Sequence, residues 1–391
     1  MRSLPKAKLS PLNPNYAPLA ATGWDTIQEA LDLMLSPVFV ELLTGAQEAA
    51  KARADNLDAV EVIELADERL KVHATGAKGG FRWRLECDDY LLLIGSPKRE
   101  WTVSVRYTSA GLWEHGVTAL RERVFNALRS YTVMRSPDCI RITRADWCFD
   151  FYSPAFTREF GPGLVAQTVC HSSTKSRERG SYDVHGRAGI GETLTVGTKA
   201  GLEVQVYDKV REITEQSGKT WLFDLWAKNL GDAPWGNGKP ADLWRLECRF
   251  SKAFLKERNI RRPHELEAVR DKLIAEALFT RRLTVASASD ANHWRWPLHP
   301  LWSAAYRVRG AGEMLPLGRK VTGRREVMTA RMRKQIAGSI RSAIVLEHGA
   351  YDGAKALELV TQAHEAVTHD PKHQDKVSAA QDRYSDVEDA R

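Results

Sequence analysis

Three segments in the middle of the chain alternate between apolar and polar residues with a period of two, and they constrain the fold more than any other feature. From Ile140 to Tyr152, Trp147, Phe149 and Phe151 fall on one side and Arg144, Asp146, Cys148 and Asp150 on the other. Leu202, Val204 and Val206 alternate with Glu203, Gln205 and Tyr207, and Trp244, Leu246, Cys248 and Phe250 with Arg245, Glu247 and Arg249. Successive side chains of a strand point to opposite faces. The pattern therefore predicts a one-sided sheet, packed on one face and polar on the other. A face that only meets water is usually rich in Thr, Ser and Lys. This one carries acids interleaved with arginines beside a tyrosine, which points to a site.

The surrounding chain predicts an α+β fold: a twisted, mainly antiparallel sheet with helices on one face, an open site face, and a helical C-terminal region. Thr193–Gly197 and Leu202–Asp208 read as a hairpin around Lys199-Ala200-Gly201. Ile27, Leu31, Met34, Val38 and Leu42 recur at helical spacing, so the stretch from Thr26 to about Ala54 reads as helix, split by Pro37. From about Ala59 the period changes to two, with strands expected through Tyr107 and a helix over 113–132. Residues 171–192 and 229–242 read as loops. The stretch Asn292–Trp302 is rich in Trp and Pro and reads as the packed end of a helix, with stacking on DNA bases as the other reading. Residues 322–348 predict a helix, and from Arg319 to Arg341 eight basic residues stand against Glu326 alone. The expected division is an arm and helices over 1–58, a nicking domain over 59–260, a basic DNA-binding region over 261–365, and a disordered tail over 366–391.

Composition adds bounds. A formal charge of +7, from 57 basic and 50 acidic residues, is compatible with a polyanionic partner. Five scattered cysteines without a CxxC pair argue against a disulfide framework or a zinc cluster. No signal peptide is evident, and no apolar run reaches the roughly 20 residues that span a bilayer. A cytoplasmic protein without a membrane partner is expected. One pentapeptide occurs twice, Trp83-Arg-Leu-Glu-Cys87 and Trp244-Arg-Leu-Glu-Cys248; duplication and convergence both account for it.

The three alternating segments resemble, in order and spacing, blocks of the trans-acting initiators of rolling-circle plasmid replication, the Rep_trans group, and of related conjugative relaxases. Thr143-Arg144-Ala145-Asp146-Trp147-Cys148-Phe149-Asp150 is similar to the first block. Thr195-Val196-Gly197-Thr198-Lys199, followed by Val206-Tyr207-Asp208-Lys209-Val210-Arg211-Glu212, is similar to the second, and Trp244-Arg245-Leu246-Glu247 to the third. The resemblance covers about residues 140–255. Ala145 replaces a larger apolar residue, and Gln205 stands where arginine is common. The resemblance implies Tyr207 as nucleophile and Asp146 and Glu247, with Asp150, as ligands of a divalent metal. It further implies a homodimer acting on supercoiled origin DNA with local single strand, served by a host helicase and polymerase.

The chemistry suits these residue types. A tyrosine hydroxyl can take over a phosphodiester and keep its bond energy in a covalent intermediate. Its ordinary pKa of about 10 makes it a weak nucleophile at neutral pH, so charge must be drawn from the phosphate. Carboxylates without thiols or imidazoles select hard cations, hence Mg²⁺ or Mn²⁺. Lys209 and Arg245 would add fixed positive charge. Arg324, Arg325, Arg331 and Arg333 of the basic helix are the expected duplex contacts. The rival readings are a catalytically inactive DNA-binding regulator on the same fold, and a hydrolase that uses water while Tyr207 only packs.

Overall fold

The structure is a computed structural model that describes residues 8–11, 13, 15–53, 59–170, 182–187, 190–231, 234–236, 238, 240–309 and 324–384. The strands are β1 (Leu19–Leu31), β2 (Leu33–Leu35), β3 (Val60–Leu65), β4 (Glu68–His73), β5 (Phe81–Glu86), β6 (Tyr90–Gly95), β7 (Val103–Tyr107), β8 (Thr132–Met134), β9 (Ile140–Tyr152), β10 (Thr168–Cys170), β11 (Tyr182–Arg187), β12 (Ile190–Gly197), β13 (Leu202–Asp208), β14 (Leu243–Ser251) and β15 (Arg281–Leu283). The helices are α1 (Pro37–Ala52), α2 (Ser109–Leu128), α3 (Pro154–Glu159), α4 (Pro162–Val165), α5 (Lys209–Glu212), α6 (Trp221–Asn229), α7 (Lys252–Glu257), α8 (Pro263–Thr280), α9 (Pro300–Val308), α10 (Arg324–His348), α11 (Gly353–Thr368) and α12 (His373–Tyr384).

Eleven of the described strands form one antiparallel sheet in the order β11-β12-β13-β14-β9-β1-β7-β6-β5-β4-β3. The α+β class and the strands expected from alternation are thus present. The hairpin between β12 and β13 turns at Gly197, whose φ of +103° suits glycine; a Cβ there would lie 2.2 Å from the Leu202 carbonyl oxygen. On the apolar face, Trp24, Ile27, Trp147, Phe149, Leu246 and Phe250 join Trp83, Leu92 and Val105 in one buried core. Burying each such side chain stabilises the fold by about 1.5–3 kcal/mol. Trp24 and Trp147 meet edge to face at 4.9 Å across the β1–β9 seam.

The N-terminal region differs from expectation. The stretch read as helix from Thr26 begins inside β1, which lies at the centre of the sheet between β9 and β7. Helix α1 starts only at Pro37, which occupies its first turn instead of splitting it; the Ser36 hydroxyl accepts from the Phe39 N–H at 3.2 Å. The first 58 residues therefore supply the middle strand of the sheet. At the other end, α12 occupies part of the stretch expected as a disordered tail, while residues 385–391 lie outside the described residues. The Trp302 side chain is buried and its indole N–H donates to the Arg281 carbonyl at 3.0 Å, so that end of the Trp-Pro stretch packs. Among the described residues, no helix is long and apolar enough to cross a membrane.

Candidate active site

The register of four adjacent strands assembles the site. Tyr207 of β13 lies opposite Arg245 of β14, and Arg245 opposite Asp150 of β9. One step along, Gln205 faces Glu247 and Glu247 faces Cys148; the next row pairs Glu203 with Arg249, Arg249 with Asp146, and Asp146 with Thr26 of β1. Residues opposite one another on antiparallel strands share a face. The acids and arginines of all three motif blocks therefore stand on one side.

Two neighbouring groups of charged contacts result. In the first, the Tyr207 hydroxyl donates to Glu247 Oε2 at 2.9 Å. Arg249 grips Glu247 at 2.8 and 3.2 Å and reaches Glu203 at 3.0 Å. Arg144 Nε donates to both oxygens of Asp146 at 3.0 and 2.8 Å. In the second, Arg245 donates to both oxygens of Asp150 at 2.6 and 2.7 Å and also to Asp25. The Trp226 indole N–H donates to Asp150 at 2.9 Å. Lys209 binds Glu212 at 2.5 Å, with its ammonium 5.5 Å from the centroid of the Tyr207 ring. Charge-assisted pairs of this kind fix geometry as much as they add energy.

The polar face is not bare here. Helix α6 lies on it, held by Trp226 on Asp150 and by Asn229 Nδ2 on the Ala20 carbonyl at 2.9 Å. Tyr207 is 9% exposed, Glu247 2% and Asp146 1%. This burial sets the protonation states. Burial, then the neighbouring Glu247, raises the Tyr207 hydroxyl well above its ordinary value, so it remains a donor. Burial and Glu247 push Asp146 up to about 7, against the pull of Arg144. Burial also opposes the charge on Glu247, but Arg249 outweighs it and holds Glu247 below the usual carboxylate range. Asp25 behaves likewise, burial being outweighed by Lys219, Arg245 and Lys209. The Lys209 ammonium is depressed by burial, then by Arg245 and Lys219.

Asp146 and Glu247 fit a hard divalent cation. Both present oxygen donors, both are buried, and their mutual repulsion adds to the burial that lifts Asp146. All three acids are already engaged: Asp146 accepts from Arg144 on both oxygens, Glu247 from Arg249 on both and from Tyr207 on one, and Asp150 from Arg245 on both and from Trp226 on one, so a cation would take the place of arginine contacts. A separate group, Asp89, Glu114 and His115, brings potential ligand atoms within 4.8 Å of one another in the N-terminal half, where Arg123 already holds Asp89 at 2.8 Å.

Asp25 escapes a reading of the sequence as helix. It is the extra residue of a bulge in β1, because Trp24 pairs with Trp147 and Thr26 with Asp146. Thr22 and Trp24 share a face with Ile27 and Glu29, so the alternation slips by one at Asp25. That slip is the signal in the sequence. Arg144 and Arg249 lie within or beside the motif blocks, yet their part as clamps on the acids emerges only from the register. Of the basic-helix residues, Arg333 is exposed on α10; the side chains of Arg324, Arg325 and Arg331 lie outside the described residues, as do 171–181 and 188–189, and the rest of the stretch read as a loop over 171–192 forms β11 and the start of β12.

No family model matches this chain, and no curated protein matches it. Among solved structures, that of the rolling circle replication initiator protein from Geobacillus stearothermophilus is similar at 14% identity and a TM-score of 0.39, over 76% of this chain and 99% of that one.

Proposed function

We propose that the protein nicks and rejoins one strand of DNA through a covalent bond to Tyr207, starting rolling-circle replication or transfer of a mobile element. The observation that carries this reading is the Tyr207 hydroxyl on Glu247, beside Asp146, inside a buried charge network. A tyrosine that only packed would not need its hydroxyl on a buried carboxylate that an arginine clamps and a second buried acid faces. The order of the three motif blocks agrees with it.

In the forward step the Tyr207 oxygen bonds to phosphorus, the bond from phosphorus to the 3′-oxygen breaks, and the departing 3′-oxygen takes a proton from water. Rejoining is the reverse, with the 3′-hydroxyl attacking the phosphotyrosine. Glu247 receives the phenol proton through the existing hydrogen bond. Lys209 and Arg245 hold positive charge beside the ring and favour the phenolate. Arg144 and Arg249 keep the acids in place. Asp25 and Asp150 orient Arg245 from both sides. A hard divalent cation, Mg²⁺ or Mn²⁺, would be held by Asp146 and Glu247 and would draw charge from the phosphoryl oxygens when bound.

The test is incubation with supercoiled DNA carrying the cognate origin and Mn²⁺, followed by denaturing electrophoresis for protein joined to DNA. The wild type should form the adduct. Tyr207→Phe should form none while binding the same DNA within a few-fold. An adduct in Tyr207→Phe would move the nucleophile elsewhere. Nicking without any adduct would indicate a hydrolase, and neither nick nor adduct would favour the regulator.

A further inference from the structure

The polar face does not end at the site. One row of paired residues runs from Arg144 on β9 to Gln28 on β1, Arg106 on β7, Leu91 on β6, Glu86 on β5 and Lys71 on β4. A second runs from Arg141 through Ala30, Ser104 and Leu93 to Arg84. The face of the N-terminal half therefore continues the face of Asp146.

Its chemistry is uneven in an informative way. Arg106 and Arg141 are exposed. Neither has an acidic partner among the described residues; Arg141 lies over the Trp101 ring at 4.0 Å. The acid in the rows, Glu86, is paired with Arg84 at 2.7 Å and lies 2.9 Å from His73 Nε2. Between the arginines stand the half-buried apolar side chains of Leu91, Leu93 and Trp101. Exposed cations alternating with apolar side chains, one of them an indole, suit a polymer that presents phosphates and bare bases together. A duplex keeps its bases stacked inside and offers such a surface only phosphates. From β9 to β5 the rows span four strand spacings, about 19 Å.

We infer that a segment of single-stranded DNA lies across β1, β7 and β6, its phosphates on Arg106 and Arg141 and its bases against Leu91 and Leu93, with Trp101 holding Arg141 from beneath. This rests on the nicking reading only for the strand's continuation into the Tyr207 site; the binding itself is independent of it.

The experiment measures fluorescence anisotropy of short and long mixed-sequence single-stranded oligonucleotides, and of the long duplex, over a salt series. The wild type should bind the long single strand more tightly than the short one. Arg106→Ala with Arg141→Ala should lose that advantage, and the slope of log K against log salt should fall by about 0.7 for each phosphate left unneutralised, or about 1.4 for the pair. Arg106→Lys with Arg141→Lys should retain most of both, which separates lost charge from lost fold. Unchanged length dependence and slope in the alanine variant would overturn the inference. So would a loss confined to the duplex. Absence of an adduct in the wild type would sink the nicking reading and leave this result standing.

Discussion

At the scale of single residues, the distinctive group is Asp146, a carboxylate whose charge is disfavoured in the folded state. Its pKa rises from 3.8 to about 7 through burial and Glu247. A folded-state value above the unfolded one means the protonated form stabilises. That contribution is complete below 3.8 and is lost as the pH climbs through about 7. Asp146→Asn should flatten this part of the stability–pH curve in thermal melts without added metal. Mg²⁺ or Mn²⁺ should raise the wild-type melting temperature most where Asp146 is charged, because a ligand of the folded state stabilises by mass action. Asp146→Asn should lose that increment. An identical metal shift in both proteins would place the cation elsewhere. Tyr207, Asp146 and Glu247 are legible in the sequence because each sits in an alternating strand beside recognisable neighbours. Asp25 stays hidden there, since a bulge residue breaks the very period by which strands are read.

At the scale of elements, β1 shows where sequence patterning misleads. Ile27 and Leu31 are four apart, as on a helix, and Glu29 between them lies on the apolar face, where a strand pattern expects an apolar residue. The structure explains the glutamate. It is fully buried and accepts from Arg121 of α2 at 2.6 and 3.1 Å and from the Tyr107 hydroxyl of β7 at 3.0 Å. One acid thus joins β1, β7 and α2. Removing one partner of a buried ion pair strands the other, at about 3 kcal/mol or more. Glu29→Ala should lower unfolding free energy by that order in denaturant titrations, and Glu29→Gln, which still accepts from Tyr107, by less. Equal and small effects would mean that α2 is held by its apolar packing alone. Most other strands are legible because their buried faces are largely apolar, as in β6, where Tyr90, Leu92 and Ile94 are buried and Leu91 and Leu93 half-buried. The repeated Trp-Arg-Leu-Glu pattern falls on β5 and β14, on opposite sides of the β9–β1 seam. In both, Trp and Leu are buried. In both, the glutamate accepts from an arginine two residues away along its own strand.

At the scale of the whole molecule, the basic helix stands apart from the sheet face. Helix α10 follows the span expected from its pattern, and Arg333 on it is exposed. We propose that it contacts duplex DNA. Neutralising Arg324, Arg325, Arg331 and Arg333 together should weaken duplex binding and lower its salt slope by about 0.9 for each phosphate that no longer meets an arginine. Adduct formation on a short single-stranded target should survive. A variant that binds duplex with unchanged slope would make α10 a solvated surface.

The central place of β1 also bears on how the chain is made. Leu19 pairs with Phe151 and Ile27 with Tyr107, so this strand leaves the ribosome long before either neighbour exists. At about 5–20 residues per second, β1 waits on the order of ten seconds for β9 to follow. During that interval its amides are paired only with water and its Trp24 and Ile27 are exposed, the conditions in which strands pair with the wrong partner. Such distant pairing also slows spontaneous refolding, since the chain must close large loops before it gains stabilising neighbours. The strand that unites the two halves of the sheet therefore has the longest wait of any strand in it for its last neighbour to emerge.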